Sequence, residues 1–79
     1  MKVLCFGPGR DLTGTDVVRM EMPAGASVGD LRRAMARRDE RLGAALSRMR
    51  IAVNMTFADD VFVLHTGDDV ALIPPVSGG

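Results

Sequence analysis

Hydrophobic and polar positions follow one another along this chain in short blocks, most of them closed by glycine, proline or paired aspartates. Lys2 to Phe6 (KVLCF) is an apolar run ended by Gly7-Pro8-Gly9, which predicts an opening strand. Val17, Arg19 and Glu21 alternate with Val18, Met20 and Met22 before Pro23, which predicts a second strand over Val17 to Met22. Asp11 to Asp16, centred on Thr13-Gly14-Thr15, reads as the hairpin loop between them. Ser27 with Asp30 three positions on is a capping-box pattern ahead of Leu31, Ala34 and Met35 at helical spacing, and predicts a helix over Val28 to Arg38. Glu40 to Ser47 predicts a second short helical turn, in which Gly43 costs about 1 kcal/mol relative to alanine. Strand patterns return at Ile51 to Met55 (IAVNM) and, as a short edge strand, at Val61 to Leu64 (VFVL). Thr66-Gly67-Asp68-Asp69 is a turn, and Val70 to Ile73 (VALI) is the last strand, ended by Pro74.

Two strands, a helix and further strands predict an α+β domain: a mixed sheet of four to five strands with one main helix packed on one face. The period of two turns Val3, Cys5 and Leu72 toward that helix and Leu4, Phe6 and Ile73 away from it. Phe6, Ile73 and Phe57 then share the uncovered face. Apolar side chains grouped on an open face point to a protein partner, the alternative being that loops cover them.

Composition narrows the class. With 79 residues the chain is one small domain, burying about 60% of the surface its unfolded form exposes. It carries 10 Lys plus Arg against 10 Asp plus Glu and is 47% hydrophobic, which predicts a compact soluble protein rather than a nucleic-acid binder. No basic segment precedes an apolar run near the start, and no apolar stretch approaches the roughly 18 residues of a membrane span, so the expectation is a cytoplasmic protein with no membrane contact. One cysteine and one histidine exclude an internal disulfide and a cysteine-histidine metal cluster. Cys5, within an apolar run, reads as a buried inert thiol.

Candidate chemistry among the side chains is sparse. Arg32, Arg33, Arg37, Arg38, Arg41, Arg48 and Arg50 read as a solvated polar surface, the competing reading being a docking surface for a nucleotide or an acidic partner. Asp68-Asp69 reads as a turn rather than a catalytic dyad, and His65 as a surface residue. Gly7-Pro8-Gly9 lacks the spacing and the following helix of a phosphate cradle. There is no Ser-His-Asp arrangement with a known spacing.

The reactive group that remains is the α-carboxylate of Gly79. The chain divides into a domain over residues 1–73 and a tail over 74–79, Pro74-Pro75-Val76-Ser77-Gly78-Gly79. Gly78 and Gly79 lack a Cβ and can thread a narrow channel, while Pro74 and Pro75 restrict the conformations lost on docking. Fully extended, the tail reaches roughly 20 Å. A carboxylate is a poor electrophile, but adenylation by a nucleotide-dependent enzyme would open its carbonyl carbon to sulfur or an amine.

The segments KVLCF with Arg10-Asp11-Leu12-Thr13-Gly14, Ala52-Val53-Asn54, and above all GDDVALIPPVSGG from Gly67 to Gly79 resemble the small subunits of molybdopterin synthase, ubiquitin-like β-grasp sulfur carriers. The resemblance covers essentially the whole chain. It implies a β-grasp domain with a flexible C-terminal tail. It further implies that a ubiquitin-activating-type adenylating enzyme uses ATP to activate Gly79, and that a sulfur donor protein converts it to a thiocarboxylate. The tail then enters the molybdopterin synthase large subunit, whose own residues, a lysine among them, direct the sulfur onto cyclic pyranopterin monophosphate to form the molybdopterin dithiolene. The implied assembly is a heterotetramer, and this chain itself binds no cofactor or metal. Position by position, the resemblance assigns Phe6, Arg10, Phe57 and Ile73 to the interface with the large subunit and Gly79 to the reaction. The chain departs from the family pattern at Gly7-Pro8-Gly9, at Ile73, which is often aromatic, and at Phe57, which is often aliphatic. Other readings of the tail are a thiamine-pathway sulfur carrier, a protein modifier joined to lysines through Gly79, and a binding module whose final glycines are incidental.

Overall fold

The computed structural model describes residues 1–5 and 14–74. Its strands are β1 (Lys2–Cys5), β2 (Val17–Arg19), β3 (Arg50–Val53), β4 (Thr56–Ala58) and β5 (Val70–Ile73), and its helices are α1 (Val28–Arg38) and α2 (Glu40–Leu46). The strands form one mixed sheet in the order β2-β1-β5-β3-β4, with β1 and β5 parallel and the other pairs antiparallel. The first strand thus lies beside the last, at the centre.

Register turns the sequence period into two faces. Val18, Val3, Val70 and Val53 stand opposite one another along one row, and Cys5, Leu72 and Ile51 along the next. Those seven side chains are buried under the helices. From α1 the core receives Val28, Leu31 and Met35, and from α2 Leu42 and Leu46. Each fully buried aliphatic side chain of this kind contributes about 1.5–3 kcal/mol relative to exposure.

The start of α1 is satisfied on every side. The Ser27 hydroxyl accepts from Asp30 N at 3.1 Å while Asp30 Oδ2 accepts from Ser27 N at 2.9 Å, so the predicted capping box is present. The next two amides, Val28 N and Gly29 N, donate to Phe62 O and Asp60 O, each at 2.9 Å. This corrects the expectation of an edge strand at Val61 to Leu64. Phe62 O is taken by the helix N-terminus, Leu64 N donates to Ala26 O at 2.8 Å, and within the segment only Val63 makes a bridge, to Ser27. Arg32 fastens the same loop: its Nε donates to Asp60 Oδ1 at 2.8 Å and its Nη1 to Leu46 O. That arginine is a strut between α1, the loop and the end of α2 rather than part of a solvated face.

The true edge strand is β4. Asn54 and Met55 have φ values of 51° and 68°, the left-handed pair that a two-residue hairpin turn requires, and the register Val53↔Thr56 places them at its tip. The predicted strand over Ile51 to Met55 therefore starts one residue earlier and ends at Val53. Asn54 also stitches this turn to the one before β5. Its N–H donates to Asp69 O at 2.7 Å, its Oδ1 accepts from Asp69 N at 2.9 Å and its Nδ2 donates to Asp68 Oδ1 at 3.0 Å. Asp68 Oδ2 accepts in addition from His65 N at 2.8 Å. Asp68 is a turn-building residue, as its sequence context suggested.

Asp39 separates the helices, capping α1 and opening α2, where its Oδ1 accepts from Arg41 N at 2.9 Å and Leu42 N at 3.4 Å. Gly43 marks the crossing of the two helices: a Cβ there would lie 2.8 Å from Ala36 Cβ and 3.1 Å from Ala36 Cα. Neither atom can swing aside. Gly43→Ala should therefore lower unfolding free energy by about 1 kcal/mol or more in urea titrations, overpacking outweighing the gain in helix propensity. A stabilised variant would mean that the helices separate freely.

Acid should loosen the domain through two carboxylates. The Ser27 backbone N–H first, then the Arg33 guanidinium and the Ser27 hydroxyl, hold Asp30 below the ordinary value of 3.8. The His65 backbone N–H and then the Asn54 amide do the same for Asp68. A depressed native value means that the folded state binds protons less readily than the unfolded one. The stabilisation is complete above the ordinary value and is lost as pH falls through the lowered native ones. Denaturant midpoints measured from neutral pH to below about 4 should fall less steeply for Asp30→Asn and Asp68→Asn than for the parent; parallel curves would exclude both groups.

Candidate functional site

The route to the tail runs through β5. Val70 and Leu72 are fully buried, and the strand is held on one side by β1 and on the other by β3, with Leu72 opposite both Cys5 and Ile51 and Ile73 opposite Arg50. The Asn54 stitching fixes the strand at its other end. Pro74 follows directly; it lacks an N–H and cannot extend the ladder. The tail is thus anchored in the middle of the sheet. Pro75, Val76, Ser77, Gly78 and Gly79 lie outside the described residues, as do Phe6 and Arg10.

Phe57 and Ile73, the two expected interface residues that are described, stand on the face away from the helices. The outer row reads Val17, Leu4, Ala71, Ala52 and Phe57 across all five strands. Its larger side chains are open to solvent: Leu4 is 37% and Phe57 52% exposed. Ile73, partly buried, belongs to the next row beside Arg50. The Arg50 guanidinium lies over the Phe57 ring, 3.9 Å from its centroid, a cation–π contact of about 0.5–1 kcal/mol at an exposed site. Arg50 therefore links Phe57 to Ile73 in one continuous surface at the root of the tail. Counting the period of two back one residue from Ile51 would have placed it there.

Asp59 and Asp60 line a groove together with Arg50 and Phe57. The His65 side chain is exposed, with Nδ1 3.9 Å from Asp68 Oδ2. Among the described residues no group of three or more His, Cys, Asp or Glu side chains could hold a metal ion. Cys5 is buried in the core. No helix among the described residues is long and apolar enough to cross a membrane. The arrangement is an open face with Phe57 and Ile73 on it and a fixed central strand leading to Pro74.

Comparison with known proteins agrees with this geometry. The ThiS family pattern matches residues 3–79, through the final glycines. The molybdopterin synthase sulfur carrier subunit of Escherichia coli is 40% identical over 83 aligned residues, covering 100% of this chain and 99% of the relative. Among solved structures, SAMP1 of Haloferax volcanii superposes with a TM-score of 0.85 at 26% identity, covering 99% of this chain and 97% of that one. Subunit 1 or 2 of the molybdopterin-converting factor complex of Helicobacter pylori matches with a TM-score of 0.69 at 29% identity, over 99% of this chain and 96% of that one.

Proposed function

The chain belongs to the ThiS family, and on that premise we propose that it is the sulfur-carrier small subunit of a molybdopterin synthase, with Gly79 as its reacting residue. The observation that carries the reading is the placement of β5. This buried central strand runs straight into Pro74, at the root of an open apolar face. A tail so anchored has a fixed origin and a long reach, which delivery into another protein's pocket requires.

The chemistry then belongs to the terminus. In an adenylating enzyme of the ubiquitin-activating type, the Gly79 carboxylate attacks the α-phosphorus of ATP and releases pyrophosphate. The outer sulfur of a persulfide on a donor protein attacks the carbonyl carbon and displaces AMP, and a second thiol then cleaves the resulting acyl disulfide, leaving a thiocarboxylate and a protein disulfide. The tail next enters the large subunit, where cyclic pyranopterin monophosphate accepts the sulfur as the dithiolene of molybdopterin is built. Pro74 and Pro75 limit the entropy lost on entry, and Gly78 gives clearance beside the reacting carbonyl. Phe57 and Ile73, with Phe6 and Arg10, dock the domain on the large subunit, and Arg50 stacked on Phe57 extends that surface. The complex of subunits 1 and 2 known for the Helicobacter pylori protein supports this pairing. The chain acts as a non-autonomous subunit, contributing the sulfur donor group while the large subunit contributes the catalytic side chains.

The likeness to SAMP1, whose Haloferax volcanii form is called small archaeal modifier protein 1, favours a second reading. There Gly79, activated in the same way, is joined to amines of other proteins. Intact-mass measurement of protein from its native cells separates the two. Carrier function predicts a fraction heavier by the difference between sulfur and oxygen, localised to Gly79; modifier function predicts Gly-Gly remnants on lysines of other proteins. Removal of Gly79 should abolish sulfur transfer in a reconstituted synthase while leaving thermal unfolding unchanged, and full activity in that variant would overturn the mechanism. Ile73→Asp should weaken binding to the large subunit at least about tenfold in calorimetric titrations, because it buries an unpaired charge in an apolar contact. Unchanged affinity would remove Ile73 from the interface.

A further inference from the structure

Strand β2 forms one edge of the sheet, opposite the edge that carries Phe57. Cys5 N donates to Asp16 O at 2.7 Å, and Met1 and Met20 exchange backbone bonds of 2.9 Å in both directions. Alternation along an antiparallel ladder then turns the amides of Val18 toward β1 and those of Val17 and Arg19 outward. Side chains stand in for a neighbouring strand there. The Thr15 hydroxyl lies 3.2 Å from Val17 O and 3.3 Å from Val17 N, and Arg38 Nη1 donates to Arg19 O at 3.1 Å.

A groove of about 530 Å³ follows this edge between β2 and the helices. Its apolar floor includes Val18 and Leu42, and Lys2, Arg19 and Arg38 bring positive charge to it. Lys2 and Arg19 face each other on the outer side of the sheet, while Arg38 comes from the end of α1. None of the three is ion-paired among the described residues. The acidic residue in the lining, Asp39, is engaged as the N-cap of α2.

We infer that this groove takes an extended acidic segment of a partner protein, added to β2 as a further strand. The pattern it fits follows from the pleat. A residue beside Val18 turns its side chain inward onto Leu42 and must be apolar; its neighbours turn outward, where one meets Arg19, and the next inward position, toward Met20, meets Arg38, so these two should be carboxylates. On docking, a peptide N–H replaces the guanidinium on Arg19 O, and Arg38 transfers to a carboxylate. That exchanges a guanidinium bond to a neutral carbonyl for one to a carboxylate, in which both partners are ionised. A second copy of this chain is a poor occupant, because edge-to-edge pairing would bring two sets of Lys2, Arg19 and Arg38 together. The groove lies at the far edge from Phe57 and Arg50.

The test uses the full chain, labelled for amide NMR, and a blocked synthetic peptide of valines flanked by glutamates. Expected are saturable shifts at Val17, Arg19 and Arg38, none at Phe57 or Ile73, and an affinity that falls with added salt. Arg38→Glu and, independently, the exposed Arg19→Glu should each weaken binding about tenfold. A peptide methylated on its backbone amides should not bind. Equal binding by a valine-lysine peptide, undiminished binding by the methylated one, or shifts confined to Phe57 and Ile73 would overturn the proposal. So would inorganic phosphate reproducing the same shifts at the same concentration, since that describes a simple anion site, and so would the absence of any shift.

Discussion

Parallel pairing of β1 with β5, which sets Val3 against Val70, Leu4 against Ala71 and Cys5 against Leu72, is the contact on which the other elements depend. It joins the two ends of the chain, so the loop it closes contains every other element. The entropy of closing such a loop rises only slowly with its length, and the buried rows on either side of the contact offset it. Parallel neighbours cannot be joined by a tight turn; the chain between them must cross the sheet, and α1 and α2 cover one face as it does so. The opposite face keeps only short side chains near its centre, Ala71 and Ala52. The tail is placed by the same contact. Leaving from a central strand between two partners, it starts from one of the best-held points of the domain.

The two faces and two edges divide the surface into distinct tasks. Under the helices the described residues bury apolar side chains with no buried polar or charged residue. The open face carries Leu4, Phe57, Ile73 and Arg50, a mixture of apolar area and one cation characteristic of docking surfaces, where aromatic residues and arginine are enriched. At the β2 edge, Thr15 and Arg38 occupy outward backbone groups that would otherwise invite nonspecific strand pairing. The arginines that looked uniform in the sequence thus have separate roles: Arg32 braces a loop, Arg38 guards an edge and Arg50 covers an aromatic ring.

Periodicity made much of this legible. Val28 to Arg38 and Val70 to Ile73 emerge where the spacing of apolar residues placed them, the strand expected over Lys2 to Phe6 is present over its described residues Lys2–Cys5, the one expected over Val17 to Met22 ends at Arg19, and the inward and outward assignments of Val3, Leu4, Cys5, Leu72 and Ile73 agree with the observed faces. The elements that escaped notice are those set by long-range hydrogen bonds. VFVL has strand composition, yet Phe62 O is engaged by Val28 N, a partner more than thirty positions away that no local pattern reveals. β4 is short and follows a turn made by Asn54 and Met55, and methionine gives no turn signal. Gly43 looked like a helix weakness because propensity is local, whereas its requirement is the approach of Ala36 from another helix. The proposed tail chemistry was suggested by Pro74, Pro75, Gly78 and Gly79 themselves, and the family resemblance alone supplied the sulfur carrier role.

That separation of tail from domain has a physical reason. A side-chain active site needs polar groups held partly desolvated, often with strained backbone, and each such group costs stability that the surrounding core must offset. A domain of 79 residues has a small core and a thin margin. In the proposed function, placing the reactive group outside the domain removes the conflict: the core can be wholly apolar, and activation, desolvation and orientation of the carbonyl would be supplied by the pocket the tail enters. In that proposal the domain would need only to be recognised, through its open face, by each enzyme in turn. Under both proposed readings any acceptor would find the same activated glycine, so the pocket into which the docked domain aims the tail would determine whether sulfur or an amine receives it, which makes the Phe57–Arg50–Ile73 surface the part of this chain most directly concerned with that choice.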